Sequence, residues 1–443
     1  MFSDPPTECD VVVIGSGIGG LCCAALLARY VCDQSQSLES RPTSPRLGEI
    51  VQLLTRGRVS SRALRRYGLS VTVLEAHDTP GGAAHAFVRD GYHFESGPSL
   101  YSGMRGDSIN PLAQVFKALD VDLPCYTYNE WICHLPEGRL RTEVGAEQFT
   151  GILKDLRGEA AVKEWRALQT FMRPLASASV ALPPAAFRGD PGVLLTAGRF
   201  LPSAFASLVG NGPEALKLTG PFSRLVDGVV SDPFIKNWLD LLCFLLSGLD
   251  AEGTVAAEMA FMFNEWFQPQ CNLEFPVGGS QAMVDALVGA LASRGGNLRL
   301  NARVEEIVLS PQGEATGVRV ACAKGRGAGA GGDGKSTLVR ARRAVVSNAS
   351  AWDTLDLIPK ERRAIRDTWR QDRADFEPCP SFMHLHAGIK ASHLPSTPSM
   401  HHIWVGDWAK GVTAEQNVVL TSIPSVIDPS LAPENSHVIH AYT

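Results

Sequence analysis

The sequence predicts an α/β protein. A parallel-sheet domain opens the chain and returns after a helical middle, and a second domain combines helices with a mixed sheet. Three observations carry this. The chain starts with an apolar strand, a glycine-rich turn and a helix. From Pro111 to Glu265 long helical stretches dominate, broken by Pro183, Pro184, Pro191, Pro213 and Pro233. At Phe275-Pro276-Val277-Gly278-Gly279-Ser280 the alternation of strand and helix resumes. With 443 residues there is room for two or three domains and a large core.

The first element is Val11 to Ile14, an apolar, β-branched run of the kind found in buried parallel strands. Gly15, Gly17 and Gly20 follow with G-x-G-x-x-G spacing, and Leu21 to Tyr30 reads as a helix. Gly15 allows the tight turn, Gly17 lets backbone approach a pyrophosphate, and Gly20 lets helix and strand pack closely. The whole loop, Gly15, Ser16, Gly17, Ile18, Gly19 and Gly20, therefore presents a helix N-terminus to a dinucleotide phosphate.

Such a motif calls for an acidic residue about 20 positions on, at the end of the second strand. The second strand comes late, as Ser70 to Leu74, and ends at Glu75. Between lies 31–67, rich in Ser and Arg with Pro42 and Pro45. With that segment set aside, Glu75 falls 18 residues after Gly20. The segment reads as an insertion, either a natural surface loop or translated intron sequence. Loop length is cheap, at about 0.6 kcal/mol per doubling. Ala76 adjoins the acid, and Gly81-Gly82 forms a second loop of close approach. Gly91 to Ser99 suggests a strand ending in a glycine turn, with Gly97, Pro98 and Ser99 at its tip.

Within the helical middle, 192–209 and 234–249 are strongly apolar. Core helices explain such runs, as does an apolar tunnel or a face lying on a membrane. If the second holds, Phe200, Phe205, Phe222, Phe234, Trp238 and Phe244 contribute an exposed patch beside a cavity mouth. Further on, Ser280 is placed to cap a helix over Gln281 to Ser293. Leu298 to Leu309 is a strand region. Gly317 to Ala321 and Leu338 to Val346 form a hairpin whose Gly-rich tip spans Lys324 to Lys335. The second strand of the hairpin runs into Ser347-Asn348-Ala349, another approach to the nucleotide. Pro380 to Ile389 and Asn417 to Pro424 read as strands of a second sheet. His384/His386 and His401/His402 allow metal pairs but suit hydrogen-bonded histidines better, and no metal site is expected.

A net charge of −5 leaves no electrostatic footprint for nucleic acid. The ten cysteines form no C-x-x-C pair and read as reduced core thiols. No stretch reaches the roughly 18 apolar residues of a transmembrane helix. Nine residues precede the first strand, too few for a signal or transit peptide.

Taken in order, these segments resemble the carotenoid isomerase and phytoene desaturase flavoprotein family, on the prolycopene isomerase side. The Gly15–Gly20 loop, Glu75, Gly81-Gly82, Gly91 to Ser99, Phe275 to Gly279 and Ser347 to Ala349 carry the resemblance. Trp352-Asp353-Thr354, His401-His402, Ser422-Ile423-Pro424 and Pro429 to Pro433 extend it over nearly the whole chain outside 31–67. It implies a Rossmann-like FAD-binding domain of the monoamine-oxidase-like (GR2) type with a substrate domain. The FAD-binding domain takes 1–100 and 271–350. Residues 101–270 form a mainly helical, membrane-facing substrate domain, and 351–443 supply its strands. The resemblance implies FAD, with NAD(P)H as an external reductant, and an apolar polyene substrate taken from a plastid membrane surface. It places Glu75 on the adenosine ribose and the backbone of Val304 on the adenine. Gly81, Gly82, Gly97 and Asn348 fall near the flavin, with Ala76, Pro98, Ser99 and Ala349 beside them. No side chain stands out as acid or base, and the flavin carries the chemistry. The family's closing FAD segment, a Gly-Asp followed by Pro-Gly-x-Gly, has no counterpart here. Three functions fit: a poly-cis carotenoid isomerase, a carotenoid desaturase or retinol saturase, and a flavin-free prenyl-chain carrier like the Rab GDP-dissociation inhibitors.

Overall fold

The structure is a computed structural model that describes residues 7–29, 69–97, 100–104, 108, 110–143, 146–181, 218–266, 273–321, 336–360 and 367–443. The expectations for 31–67, Pro98, Ser99, Phe200, Phe205 and the Lys324–Lys335 tip lie outside these residues.

Strands β1 (Glu8–Ile14) and β2 (Val71–Leu74) flank helix α1 (Ile18–Arg29). A first hairpin, β3 (Ala86–Arg89) with β4 (Tyr92–Glu95), leads to the short β5 (Tyr101–Ser102). Next come β6 (Cys125–Tyr128), β7 (Glu130–Leu135) and β8 (Gly138–Glu143). The helical middle contains α2 (Ala146–Arg157), α3 (Glu159–Ala181), α4 (Pro233–Ser247) and α5 (Ala256–Trp266). Strand β9 (Leu273–Pro276) and helix α6 (Ser280–Ala292) follow, then β10 (Asn297–Arg299), β11 (Val304–Leu309), β12 (Ala315–Val320) and β13 (Thr337–Ser347). The last strands are β14 (His384–Lys390), β15 (His401–Val405), β16 (Val418–Ser422) and β17 (Ser436–Tyr442).

One six-stranded sheet has the order β10-β2-β1-β13-β12-β11. Its first four strands are parallel, and β12 and β11 continue it antiparallel. Every residue of β2 is buried, as a strand covered on both faces requires. Gly20, Leu21, Ala24, Ala25 and Ala28 form the buried face of α1, which packs against α6 over β1 and β2. The α/β fold of the sequence reading is therefore present, with the hairpin β12–β13 joined to the parallel sheet. A second six-stranded sheet, ordered β14-β17-β16-β15-β7-β8, brings the 384–442 strands beside β7 and β8 from the middle of the chain. The three-stranded sheet β5-β9-β6 is a third, smaller element.

The described part of the apolar middle is core. Phe222, Phe234, Trp238 and Phe244 are all buried, in one cluster with Trp165, Leu242, Met259 and Leu273. The exposed aromatic patch expected of this stretch is not formed by its described aromatic residues. Asp232 caps α4, its carboxylate accepting the N–H groups of Phe234 and Ile235, and Gly248 closes it in a left-handed conformation. Among the described residues no helix is long and apolar enough to cross a membrane.

Candidate functional site

The glycine loop leaves β1 at Gly15, whose φ of +89° suits only glycine at low cost. Its N–H donates to the Leu74 carbonyl, so the ends of β1 and β2 stay together. Two approaches to backbone exclude a side chain, and a third leaves room for one only if Asn348 moves. A Cβ on Gly20 would lie 2.3 Å from the Gly15 carbonyl oxygen, one on Gly82 would lie 2.9 Å from Gly17 Cα, and one on Gly17 would lie 2.9 Å from Asn348 Nδ2. Asn348 itself follows β13, with its N–H on the Ile14 carbonyl at 2.8 Å. The loops at Gly15–Gly20, Gly81–Gly82 and Asn348 thus form one backbone cradle at the C-terminal ends of the parallel strands, where α/β sheets bind ligands. Helix α1 begins in that cradle and points its N–H groups into it.

Glu75 stands at the end of β2, as the spacing requires. Its Oε2 accepts the Ser16 N–H at 2.8 Å and the Ser16 hydroxyl at 2.6 Å, and its Oε1 accepts the His77 N–H at 2.8 Å. Burial acts to raise its pKa, but the hydrogen bonds from Ser16, His77 and Ala76 outweigh it and hold the carboxyl below its usual range. The acid is therefore charged at neutral pH and fixed in direction. The Glu75 carbonyl accepts the Ala302 N–H at 2.7 Å, which sets Val304 at the start of β11 close to the same edge. Gly97 packs beside the second glycine loop, since a Cβ there would meet the Ala83 carbonyl at 2.1 Å. Ala349 donates its N–H to Ser347 Oγ and stays with its own turn.

The expected Ser280 cap is replaced by a different arrangement. Ser280 is the first residue of α6 and its hydroxyl points out of the helix, where Glu95 takes the capping role. Glu95 Oε1 accepts the Ser280 N–H at 2.6 Å and the Ser280 hydroxyl at 2.7 Å. Glu95 is 3% exposed, and burial pushes its carboxyl up to about 7 against the pull of these bonds. The Glu95 N–H donates to His440 Nε2 at 3.2 Å, so the sequence positions 95 and 440 meet across two sheets. The same hairpin, β3–β4, thus carries Gly97 to the cradle and Glu95 to α6.

His401 and His402 are hydrogen-bonded, whereas the buried Nδ1 of His386 has no hydrogen-bond partner among the described residues. His401 bonds the Tyr128 hydroxyl at 2.6 Å and Ser422 Oγ at 2.9 Å, and His402 bonds His134 at 3.3 Å. Among the described residues no group of three or more His, Cys, Asp or Glu could hold a metal ion. Next to β5 opens a cavity of about 270 Å³. Leu100, Tyr101 and Met104 line it from one side and Leu246, Phe261 and Met262 from α4 and α5. Glu258 stands at it with its carboxyl raised by burial.

The cradle, the acid at the end of β2 and the mixed second sheet define a flavin-binding oxidoreductase fold. The chain belongs to the family of flavin containing amine oxidoreductases, whose model matches residues 57–369. It is 26% identical to prolycopene isomerase 2, chloroplastic, of an Oncidium hybrid cultivar, over 98% of this chain and 64% of that protein. It is 24% identical to all-trans-retinol 13,14-reductase of Danio rerio, over 82% of this chain and 51% of that one. The chain spans less than two-thirds of the length of the prolycopene isomerases it matches. An oxidoreductase from Methanosarcina mazei superposes with a TM-score of 0.58 at 16% identity, over 98% of this chain and 78% of that one. A putrescine oxidase does so at 0.57 and 17%, over 99% and 76%. Both likenesses concern the fold.

Proposed function

We propose that the chain is an FAD-dependent flavoprotein of the carotenoid cis–trans isomerase type, acting on a long poly-cis polyene without net redox change. The observation that carries this reading is the similarity to prolycopene isomerases along 98% of the chain, supported by glycine loops packed too closely for side chains. In this reading the chemistry that bound, reduced FAD would supply is transient electron donation, with no net redox change. NAD(P)H is the external reductant.

The chain's own residues bind, orient and exclude water. The N–H groups at the start of α1 hold the pyrophosphate over Gly15, Ser16, Gly17, Ile18, Gly19 and Gly20. Glu75, fixed by Ser16, accepts the adenosine ribose hydroxyls, with Ala76 beside it and the Val304 backbone at the adenine. Gly81, Gly82, Gly97, Asn348 and Ala349 border the flavin. The apolar walls at Leu100, Met104, Leu246 and Phe261 seat part of the polyene. A substrate that dissolves so poorly is best collected from a membrane surface, and burial at about 25 cal/mol per Å² drives its entry. A plastid membrane is the surface we infer.

A desaturase or retinol saturase is the second reading, favoured by the likeness to the Danio rerio retinol reductase. Incubating poly-cis lycopene with the protein and reduced FAD, then separating geometric isomers by chromatography, tests the proposal. New all-trans bonds are expected. A stable, flavin-loaded protein that leaves every isomer unchanged overturns it.

A further inference from the structure

Between the second glycine loop and the turn that carries Gly97 stands a side chain that the proposed function does not use. His85 lies just before β3, and Ser96 follows the last residue of β4. The two strands pair with Ala86 opposite Glu95, so His85 and Ser96 meet at the open end of the hairpin. Hydrogen bonds converge on His85 from both sides. Its backbone N–H and its Nδ1 reach the Gly82 carbonyl at 3.2 and 2.8 Å. Its own carbonyl accepts the Ser96 N–H at 3.1 Å, and its Nε2 lies 2.9 Å from Ser96 Oγ. A carbonyl oxygen can only accept, so Nδ1 carries a hydrogen. In the neutral ring Nε2 then accepts the Ser96 hydroxyl. One nitrogen is bonded to the loop and the other to the turn.

Neither partner can keep that spacing by side-chain packing. Gly81 and Gly82 have φ of +120° and +58° and no side chain, and Gly97 has none either. A binding loop of this kind holds its shape only when further hydrogen bonds fix it. On its other side the loop is tied to the first glycine loop, since the Gly81 N–H donates to the Ser16 carbonyl at 3.0 Å and Gly17 bridges Gly81. Gly81 and Gly82 are thus held between Ser16 and His85. Toward Glu75, His85 has the ring of His77 as its neighbour, with centroids 5.5 Å apart. We propose that His85 is a positioning residue for the flavin half of the cofactor: its imidazole bridges the Gly82 carbonyl and the Ser96 hydroxyl, and so sets the gap between the Gly81–Gly82 loop and the Gly97 turn that seats the FMN moiety. The inference rests on the flavoprotein reading and adds a residue to it. His85 acts through Gly82 and Ser96, while Glu75 serves the adenosine half, so the two halves of the dinucleotide depend on different side chains.

The test uses the full-length protein and two ligands, FMN and AMP, each carrying one half of the dinucleotide. Titration calorimetry gives both dissociation constants, and the thermal midpoint checks the fold. Ser96→Ala removes one of the two ring hydrogen bonds and should weaken FMN by about three- to tenfold. His85→Phe keeps a ring of similar size without its nitrogens and should weaken FMN further. Both variants should bind AMP as wild type does. His85→Asn puts an amide N–H where Nδ1 stands and should recover part of the loss. Glu75→Ala is the control with the opposite pattern, AMP weakened and FMN kept. If His85→Phe fails to fold, Ser96→Ala and His85→Asn carry the comparison. An FMN constant unmoved by Ser96→Ala and His85→Phe overturns the proposal, as does a loss for AMP as large as that for FMN, which would make the ring a general support of the fold. In either case wild type still binds FMN, and the flavoprotein reading stands. A wild-type protein that binds no FMN overturns both.

Discussion

Replacing Glu75 by Ala tests the cradle directly. In the folded protein the carboxylate is charged, and three donors from Ser16 and His77 fix it at the end of β2. Hydrogen bonds to a charged group contribute roughly 1.5–3 kcal/mol. Loss of the carboxylate should therefore weaken FAD binding by about ten- to a hundredfold. Glu75→Gln keeps the shape and removes the charge, so it should fall between. FMN, which lacks the adenosine ribose, supplies the internal control: its weaker binding should be the same in wild type and Glu75→Ala. Equilibrium dialysis with flavin fluorescence gives both dissociation constants, and the thermal midpoint shows that the fold is kept. An unchanged FAD constant, or an equal loss for FMN, refutes the ribose assignment.

Other outcomes follow from the same structure. Gly20→Ala puts a methyl 2.3 Å from the Gly15 carbonyl, a backbone atom with no room to yield, so it should cost about 1–3 kcal/mol in urea unfolding and reduce flavin uptake. An unfolding midpoint equal to wild type would show that helix and strand separate there without strain. Burial holds His401 and His440 neutral, with values lowered from 6.5 to about 3. Their stabilisation is complete above pH 6.5 and is lost as pH falls toward 3, because the unfolded chain then binds more protons. Glu95, raised from 4.5 to about 7, works in the opposite sense, its contribution complete below 4.5 and lost as pH rises through 7. His401→Gln should therefore flatten the acid limb of a stability-against-pH curve, and an unaltered limb would exclude His401 as its source. Deleting 31–67 should leave the thermal midpoint unchanged or higher, and a clear drop would contradict its reading as an insertion.

The sequence made the cradle legible because local spacing determines it. Strand, glycine turn, helix and a second strand ending in an acid are all short-range features, and Glu75 falls where 18 residues of unbroken motif would put it. The hairpin of β12 and β13 was equally local. What the sequence hid depends on distant partners. Glu95 sits in a stretch read only as a strand and a turn. Its hydrogen bonds go to Ser280 and His440, 185 and 345 residues away. Ser280 looked like a cap because serine before an apolar run is a common helix start, yet the carboxylate of β4 takes that task. The aromatic residues of the middle gave no sign of which side they face, since tunnel, membrane face and core all call for the same composition. Packing of α3, α4 and α5 against β7 and β9 settled it for the described residues.

We propose that this chain rearranges a polyene without changing its oxidation level. Its most direct test is the mass and geometry of the product formed anaerobically from poly-cis lycopene by the FAD-loaded protein after reduction. The account predicts product of unchanged mass carrying more trans bonds, with flavin still reduced at the end. Product lighter or heavier by two hydrogens, formed together with a change in the flavin's redox state, would contradict it and identify a desaturase or a saturase instead.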